Sequence, residues 1–60
     1  MEFEVGARFR VHGRYEDFTD HLEGCTAEIV DGVVDEQGYV YVVDESGVYW
    51  YVRAEDLYDG

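Results

Sequence analysis

A β-hairpin signal between Tyr39 and Arg53 limits the folds open to this chain. The segment reads Tyr-Val-Tyr-Val-Val-Asp-Glu-Ser-Gly-Val-Tyr-Trp-Tyr-Val-Arg. β-Branched and aromatic residues on both sides of a Glu-Ser-Gly break are typical of two strands joined by a tight turn. A three-residue loop over 45–47 lets Gly47 occupy the left-handed position of a bulge turn. The segment is therefore predicted to form two antiparallel strands.

Loop length decides which residues face each other across this hairpin. A three-residue loop pairs Val42 with Trp50, Val40 with Val52, and Tyr41 with Tyr51. One face of the hairpin is then aliphatic with the single tryptophan. The other face, on the outside of the sheet, carries four tyrosines that we call the tyrosine face: Tyr39, Tyr41, Tyr49 and Tyr51. A two-residue loop would mix the two kinds of residue, so the three-residue register is preferred.

The rest of the chain carries further strand signals around one long loop. Alternation and turn residues predict an edge strand at 3–5, a strand over 7–12, a strand over 25–34 and a short last strand at 57–58. One helical turn over 54–57 leads into that last strand. Asp31-Gly32 is expected to kink the chain, and 35–38 to form a turn. Residues 13–24, which we call the first loop, are polar with scattered aromatics and a helical turn near 17–22, a length typical of binding loops.

The inward-facing residues of these strands define one core in a single domain, residues 1–60. A chain this short buries only about 60% of its unfolded surface, so the core has to be efficient. No disulfide within the chain can reinforce it, because Cys25 is the only cysteine. The predicted core consists of Phe3, Val5, Phe9, Val11, Cys25, Ala27, Ile29, Val40, Val42, Trp50, Val52 and Leu57.

Glycine and core positions follow one another at a recognisable spacing: Val5-Gly6, Gly24, Ile29-Val30, Gly38-Tyr39-Val40, Trp50-Tyr51-Val52 and Leu57. This order resembles that of SH3-like barrels. The resemblance implies an all-β, five-stranded SH3-like barrel with a long first loop and one helical turn before the last strand. The stretch from Gly24 to Val30 is similar to the KOW-type variant of ribosomal and transcription-elongation proteins, with Ala27 where that motif favours glycine. Small phage-encoded proteins of unknown role are similar as well.

The tyrosine face and the first loop carry the candidate partner-binding residues. Tyrosines on an outer face are enriched at protein interfaces, although they also stabilise small sheets through cross-strand pairs. The first loop adds Tyr15, Phe18, Glu16, Asp17 and Asp20. The SH3 resemblance implies a proline-peptide groove, but the family's Ala-Leu-Tyr-x-Tyr and Pro-x-x-Tyr signatures are missing. The predicted function is therefore a non-catalytic protein–protein interaction module.

The chain is strongly acidic, with fifteen Asp and Glu against four Arg and a formal net charge of -11. At 47% hydrophobic residues it is too apolar for a disordered acidic tail. A compact acidic surface suits a basic partner, so an acidic inhibitor or nucleic-acid mimic directed at a nucleic-acid-binding protein is the second hypothesis. A structural subunit that forms a homo-oligomer with buried tyrosines is the third. A salt-adapted source would explain the acidity with no functional meaning.

Direct nucleic-acid binding, which the KOW resemblance implies, is opposed by this charge. Phosphate contacts need clustered lysine and arginine side chains, and the chain has no lysine. Arg8, Arg10 and Arg14 are close together in sequence, and Arg53 is a further candidate. Pairing with acidic residues on neighbouring strands is the preferred interpretation of these arginines. The predicted acidic partners are Glu2, Glu4 and Glu28.

No catalytic residue, metal site or cofactor is predicted. His12, His21 and Cys25 lack the paired spacing of zinc ligands, and Cys25 is expected to be a buried structural cysteine. No carboxylate is predicted to be buried, so none is assigned to acid–base catalysis. A lone cysteine, with no cationic apolar leader and no long apolar run, predicts a cytoplasmic location without membrane contact.

Overall fold

Five strands form one antiparallel sheet in the computed structural model, which describes residues 3–59. The strands are β1 (Arg8–Val11), β2 (Thr26–Ile29), β3 (Tyr39–Asp44), β4 (Tyr49–Arg53) and β5 (Leu57–Tyr58). Their order across the sheet is β4-β3-β2-β1-β5. Three single 3-10 turns lie between them: η1 (Tyr15–Asp17), η2 (Asp20–Leu22) and η3 (Ala54–Asp56). The predicted all-β class with five strands is confirmed.

The hairpin has the register predicted from its loop length. β3 and β4 pair Val42 with Trp50, Val40 with Val52, and Tyr41 with Tyr51. The Asp44 amide donates to the Val48 carbonyl oxygen at 2.9 Å, which leaves three residues in the loop. Gly47 has a φ of 85°, the left-handed conformation that this turn requires. One carboxylate oxygen of Asp44 accepts from the Ser46 and Val48 amides at 2.8 and 3.0 Å and holds the loop closed.

The inner faces of the strands enclose a core that confirms most of the prediction. Phe3, Phe9, Trp50 and Leu57 are partly buried and pack against this core. Leu22 is buried as well, although the polar sequence around it gave no core signal. The buried hydrophobic residues are Val11, Leu22, Ala27, Ile29, Val40, Val42 and Val52.

Two residues that were predicted for the core, Val5 and Cys25, lie on the surface instead. The predicted edge strand at 3–5 is absent; residues 4–7 form a turn closed by the Ala7 amide and the Glu4 carbonyl oxygen at 3.1 Å, and Val5 is 65% exposed. Cys25 precedes β2, and its amide donates to the Leu22 carbonyl oxygen at 2.8 Å. Its carbonyl oxygen accepts from the Val11 amide of β1 at 3.0 Å, so Cys25 lies where the turn after η2 meets β2, and its side chain is exposed. The interpretation of Cys25 as a buried structural cysteine was wrong.

The ends of the sheet are connected through η3, which occurs where a helical turn was predicted. β5 follows η3 directly and pairs with β1, while β4 is the last strand at the opposite end. The domain measures 24 × 22 × 20 Å, so the sheet curves strongly around its core. Within residues 3–59, no helix has the length and apolar character needed to cross a membrane.

Candidate functional site

The four rings of the tyrosine face lie together on the outer side of β3 and β4. The centroid of the Tyr41 ring is 4.6 Å from that of Tyr51 and 5.4 Å from that of Tyr49. Tyr49 and Tyr51 are 53% and 61% exposed, whereas Tyr39 and Tyr41 are half-buried. The face therefore presents two open rings supported by two packed ones. Such rings can make both apolar and hydrogen-bonded contacts with a protein.

Two aromatic residues of the first loop also project into solvent. Tyr15 is 82% exposed and Phe18 is 78% exposed. Phe18 ends η1 in the left-handed conformation, with φ 60° and ψ 27°, which is costly for a bulky residue. The buried Thr19 fixes this geometry, because its amide donates to the Arg14 carbonyl oxygen at 3.0 Å and its hydroxyl accepts from the Arg14 amide at 3.1 Å. Backbone strain at an exposed apolar ring is typical of a functional position.

A hydrogen-bonded charge cluster ties the first loop to the tyrosine face. The Asp17 carboxylate accepts from the Tyr39 hydroxyl at 2.9 Å and from Nε of Arg53 at 2.8 Å. The Arg53 guanidinium also lies 5.7 Å from the centroid of the Tyr39 ring. Asp17 lies between Tyr15 and Phe18 in the chain, so its contacts with Tyr39 and Arg53 hold this part of the first loop against β3 and β4.

A second ion pair holds the start of the first loop on η3. Arg14 donates to both carboxylate oxygens of Asp56, with Nε···Oδ2 at 2.6 Å and Nη2···Oδ1 at 3.0 Å. Asp56 is only 6% exposed. Glu55 joins the two ion pairs, because its carboxylate lies 3.5 Å from the Arg14 guanidinium and 4.0 Å from that of Arg53. The first loop is thereby fixed at both β4 and η3.

The buried carboxylates correct the sequence prediction, in which no carboxylate was buried. The side chains of Asp17 and Asp56 are 9% and 8% exposed. Asp17 is also a candidate for direct partner contact, and each of its carboxylate oxygens accepts a hydrogen bond within the domain. Glu16 and Asp20, the other acidic candidates of the first loop, are exposed.

The acid stability of the domain is expected to depend on Asp17. The Arg53 guanidinium, and then the Tyr39 hydroxyl, hold the pKa of the Asp17 carboxyl below its ordinary value. A lowered folded-state pKa contributes stability above the unfolded-state pKa and loses it as the pH falls through the folded-state pKa. The contribution of Asp17 should therefore be complete above about pH 4 and disappear below it.

Urea unfolding of Asp17→Asn between about pH 7 and about pH 2 measures this contribution. The variant should be less stable than the wild type at neutral pH and should lose less stability on acidification. Glu16→Gln is the matched control, because Glu16 is exposed beside Asp17 and should change neither property. An acid dependence that is identical in Asp17→Asn and the wild type would contradict this role for the ion pair.

The arginines make intramolecular contacts. Arg8 pairs with Glu28 across β1 and β2 at 3.5 Å, as predicted. Arg10 donates from Nη1 to the Gly24 carbonyl oxygen at 3.2 Å. Arg53 holds the first loop through Asp17, and Arg14 holds it on η3 through Asp56. Glu2, another predicted partner, lies outside the described residues. Over residues 3–59 each guanidinium group thus contacts an acceptor of the domain, with Arg14 and Arg53 held in ion pairs and Arg8 and Arg10 largely exposed.

Two shallow grooves border the tyrosine face and η3. A groove of about 360 Å³ is lined by Asp35, Gln37, Tyr39 and Tyr51. A larger groove of about 520 Å³ is lined by Val34, Gln37, Gly38, Arg53, Ala54 and Glu55. Gln37 lines both grooves, so they are neighbours on the surface. Together they offer places where side chains of a partner can dock.

His12 and His21 each pack against an aromatic ring. His12 stacks on Tyr58 with ring centroids 4.1 Å apart. His21 and Trp50 lie edge to face, with ring centroids 4.6 Å apart. In the part of the chain that the structure describes, no group of three or more His, Cys, Asp or Glu side chains is placed to hold a metal ion.

The chain matches no protein-family model, no curated protein and no solved structure.

Proposed function

We propose that this chain is a non-catalytic module that binds another protein through the tyrosine face and the first loop. The observation that carries the proposal is that Asp17 ties the first loop, with its two exposed rings, to the hairpin that carries the two exposed tyrosines. Aromatic anchors supply much of the binding energy at protein interfaces, and a fixed geometry reduces the entropy lost on binding. The exposed rings are Tyr15, Phe18, Tyr49 and Tyr51.

The proposed scaffold for this surface is an SH3-like barrel. The strand order β4-β3-β2-β1-β5, the 3-10 turn before β5 and the nearly equal dimensions of the domain support a sheet that curls on itself. The Ala54 amide donates to the Gly38 carbonyl oxygen at 2.8 Å, which places η3 beside the turn over 35–38. The first loop, this turn and η3 then surround one end of the tyrosine face.

An acidic inhibitor or nucleic-acid mimic is the second candidate. The charge balance favours it, because fifteen acidic residues face four arginines, two of which are held in ion pairs with Asp17 and Asp56. A basic nucleic-acid-binding protein would be drawn to the exposed carboxylates by long-range attraction. Binding of this kind weakens steeply with salt, whereas contacts made by aromatic rings do not.

Stepwise salt elution of partners captured from a lysate of the source organism separates these candidates. We expect the wild type to retain a protein partner at high salt, and Tyr51→Ser and Phe18→Ser each to weaken that binding about tenfold or more. Val5→Ser is the matched control, because Val5 is exposed and apolar but lies outside the proposed surface.

Two other results would contradict the interaction-module proposal. If the captured partners are basic and leave at low salt, and the Tyr51→Ser and Phe18→Ser variants bind them as well as the wild type does, the acidic surface is the functional part. If the purified chain is a stable homo-oligomer that buries the tyrosine face, it is a structural subunit of a larger assembly.

A further inference from the structure

The direction of the backbone groups in β4 follows from the hydrogen bonds of β3. In an antiparallel sheet the amide and carbonyl of one residue point to the same side, and the side alternates along the strand. The Val30 amide donates to the Tyr41 carbonyl oxygen at 3.1 Å, so the odd-numbered residues of β3 point toward β2. Its even-numbered residues then point toward β4, in agreement with the bond between Asp44 and Val48.

Every second residue of β4 consequently directs its backbone away from the sheet. Trp50 and Val52 lie opposite even-numbered residues of β3 and pair with them. Tyr49 and Tyr51 alternate with them, so their amides and carbonyls point to the outer edge. Among residues 3–59, β4 pairs with β3 alone, and no backbone hydrogen bond outside the strand ladder uses Tyr49 or Tyr51.

This edge lacks several of the sequence features that usually prevent strand addition. Natural edge strands are commonly blunted by lysine, proline, a bulge or very short length. β5, at the other end of the sheet, has only two residues. β4 has five residues with neither lysine nor proline, and the side chain of its one charged residue, Arg53, is bound by Asp17. The outer edge of β4 is thus a template for one more strand.

We infer that the outer edge of β4 binds an extended, basic segment of a partner protein as an additional strand of the sheet. The inference rests on the proposed function and adds the backbone pairing and the charge of the partner. A second copy of this chain is disfavoured as the added strand, because two domains that each carry a formal net charge of -11 would repel each other. A cationic segment is attracted by the same charge.

The residues on either side of the edge indicate the pattern of the added strand. Its side chains alternate between the two faces of the sheet. Those on the outer face lie beside the exposed Tyr49 and Tyr51 rings, where lysine or arginine can stack. Those on the inner face meet the half-buried Trp50, which suits apolar residues. The expected segment therefore alternates basic and apolar residues.

Amide hydrogen exchange of the free protein is the first part of the test. Trp50 and Val52 should be protected by their bonds to β3, whereas Tyr49 and Tyr51, in the same strand, should exchange much faster. Equal protection of all four amides in a monomer would overturn the inference, because the edge would already be occupied. Protection of Tyr49 and Tyr51 that grows with protein concentration as a dimer forms would overturn the basic-partner inference in favour of a second copy.

The second part uses a synthetic peptide of about eight residues that alternates lysine and valine. Its binding, followed by Trp50 fluorescence, should bring the Tyr49 and Tyr51 amides under protection and should weaken with salt without being abolished. A copy of the peptide with N-methylated amides keeps the side chains and charges but cannot form the ladder, and it should bind about tenfold more weakly or worse. Equal binding of both peptides, or binding of neither, would overturn the inference.

Two substitutions of Tyr51 distinguish the contribution of its backbone amide to binding from that of its ring. Tyr51→Thr removes the ring and keeps the outward amide, whereas Tyr51→Pro removes both without breaking a bond to β3. We expect the proline variant to bind the peptide about tenfold more weakly than the threonine variant. Equal affinities of two folded variants overturn the inference while leaving the proposed function intact. Peptide pairing together with unchanged lysate capture by Tyr51→Ser and Phe18→Ser would instead support the edge and contradict the proposed function.

Discussion

Gly32→Ala is expected to leave the domain severely destabilised or unfolded. Gly32 has a φ of 78°, and a Cβ atom at this position would overlap the carbonyl oxygen of Phe3. The two segments cannot simply separate, because the Phe3 amide donates to the Gly32 carbonyl oxygen at 2.8 Å and the Phe3 side chain packs against the core. The left-handed conformation alone costs alanine about 1–2 kcal/mol. With the overlap added, we expect a loss of about 3 kcal/mol or more in the free energy of unfolding.

Gly47→Ala is the matched control for this substitution. Gly47 has a φ of 85°, but a Cβ atom there would meet no heavy atom within 4 Å. This variant carries the conformational cost without the overlap, so its urea midpoint should lie clearly above that of Gly32→Ala. Equal losses in the two variants would show that the contact between Gly32 and Phe3 does not constrain the fold.

Trp50→Ala is expected to reduce the free energy of unfolding by about 3 kcal/mol. Trp50 is partly buried and packs against the core from β4. Its indole N–H donates to the Asp44 carboxylate at 2.8 Å, and the other oxygen of that carboxylate holds the hairpin loop through the Ser46 and Val48 amides. Alanine therefore leaves a cavity and takes one donor from the residue that organises the loop.

Trp50→Phe separates these two contributions. Phenylalanine keeps most of the packing and loses the indole donor, so its cost should be a minor part of that of Trp50→Ala. Denaturant unfolding followed by circular dichroism measures both variants without the tryptophan signal. A folded Trp50→Ala variant with an unchanged midpoint would contradict the inward position of this residue.

The hairpin could be predicted from the sequence because its register and its turn depend on residues that are close together in the chain. A period-two pattern interrupted by Glu-Ser-Gly admits one register that keeps all four tyrosines on the same side, and Gly47 supplies the conformation the turn needs. The kink at Asp31-Gly32 and the turn before β5 likewise depend on residues that are neighbours in the chain. Strand ends were less predictable: Cys25 continues the alternation of β2 in sequence, but it lies where the turn after η2 meets β2, and its side chain is exposed.

The ion pairs that hold the first loop in place could not be predicted from the sequence, because they join distant parts of the chain. Asp17 meets Arg53 across 36 residues, and Arg14 meets Asp56 across 42. In a chain with fifteen acidic residues, nothing local distinguishes these two carboxylates from solvent-exposed ones. The exposed rings followed from the strand pattern and the loop composition. The cluster that joins them required the tertiary structure.

NMR signals of the aromatic rings, recorded before and after addition of the captured partner, report on the binding surface itself. At moderate salt, we expect the four exposed rings of the tyrosine face and the first loop to shift or broaden. The ring of Tyr58, which stacks on His12 and belongs to neither the tyrosine face nor the first loop, should stay unchanged. If the four exposed rings remain unchanged while signals from the acidic turns shift, the tyrosine face is not the binding surface.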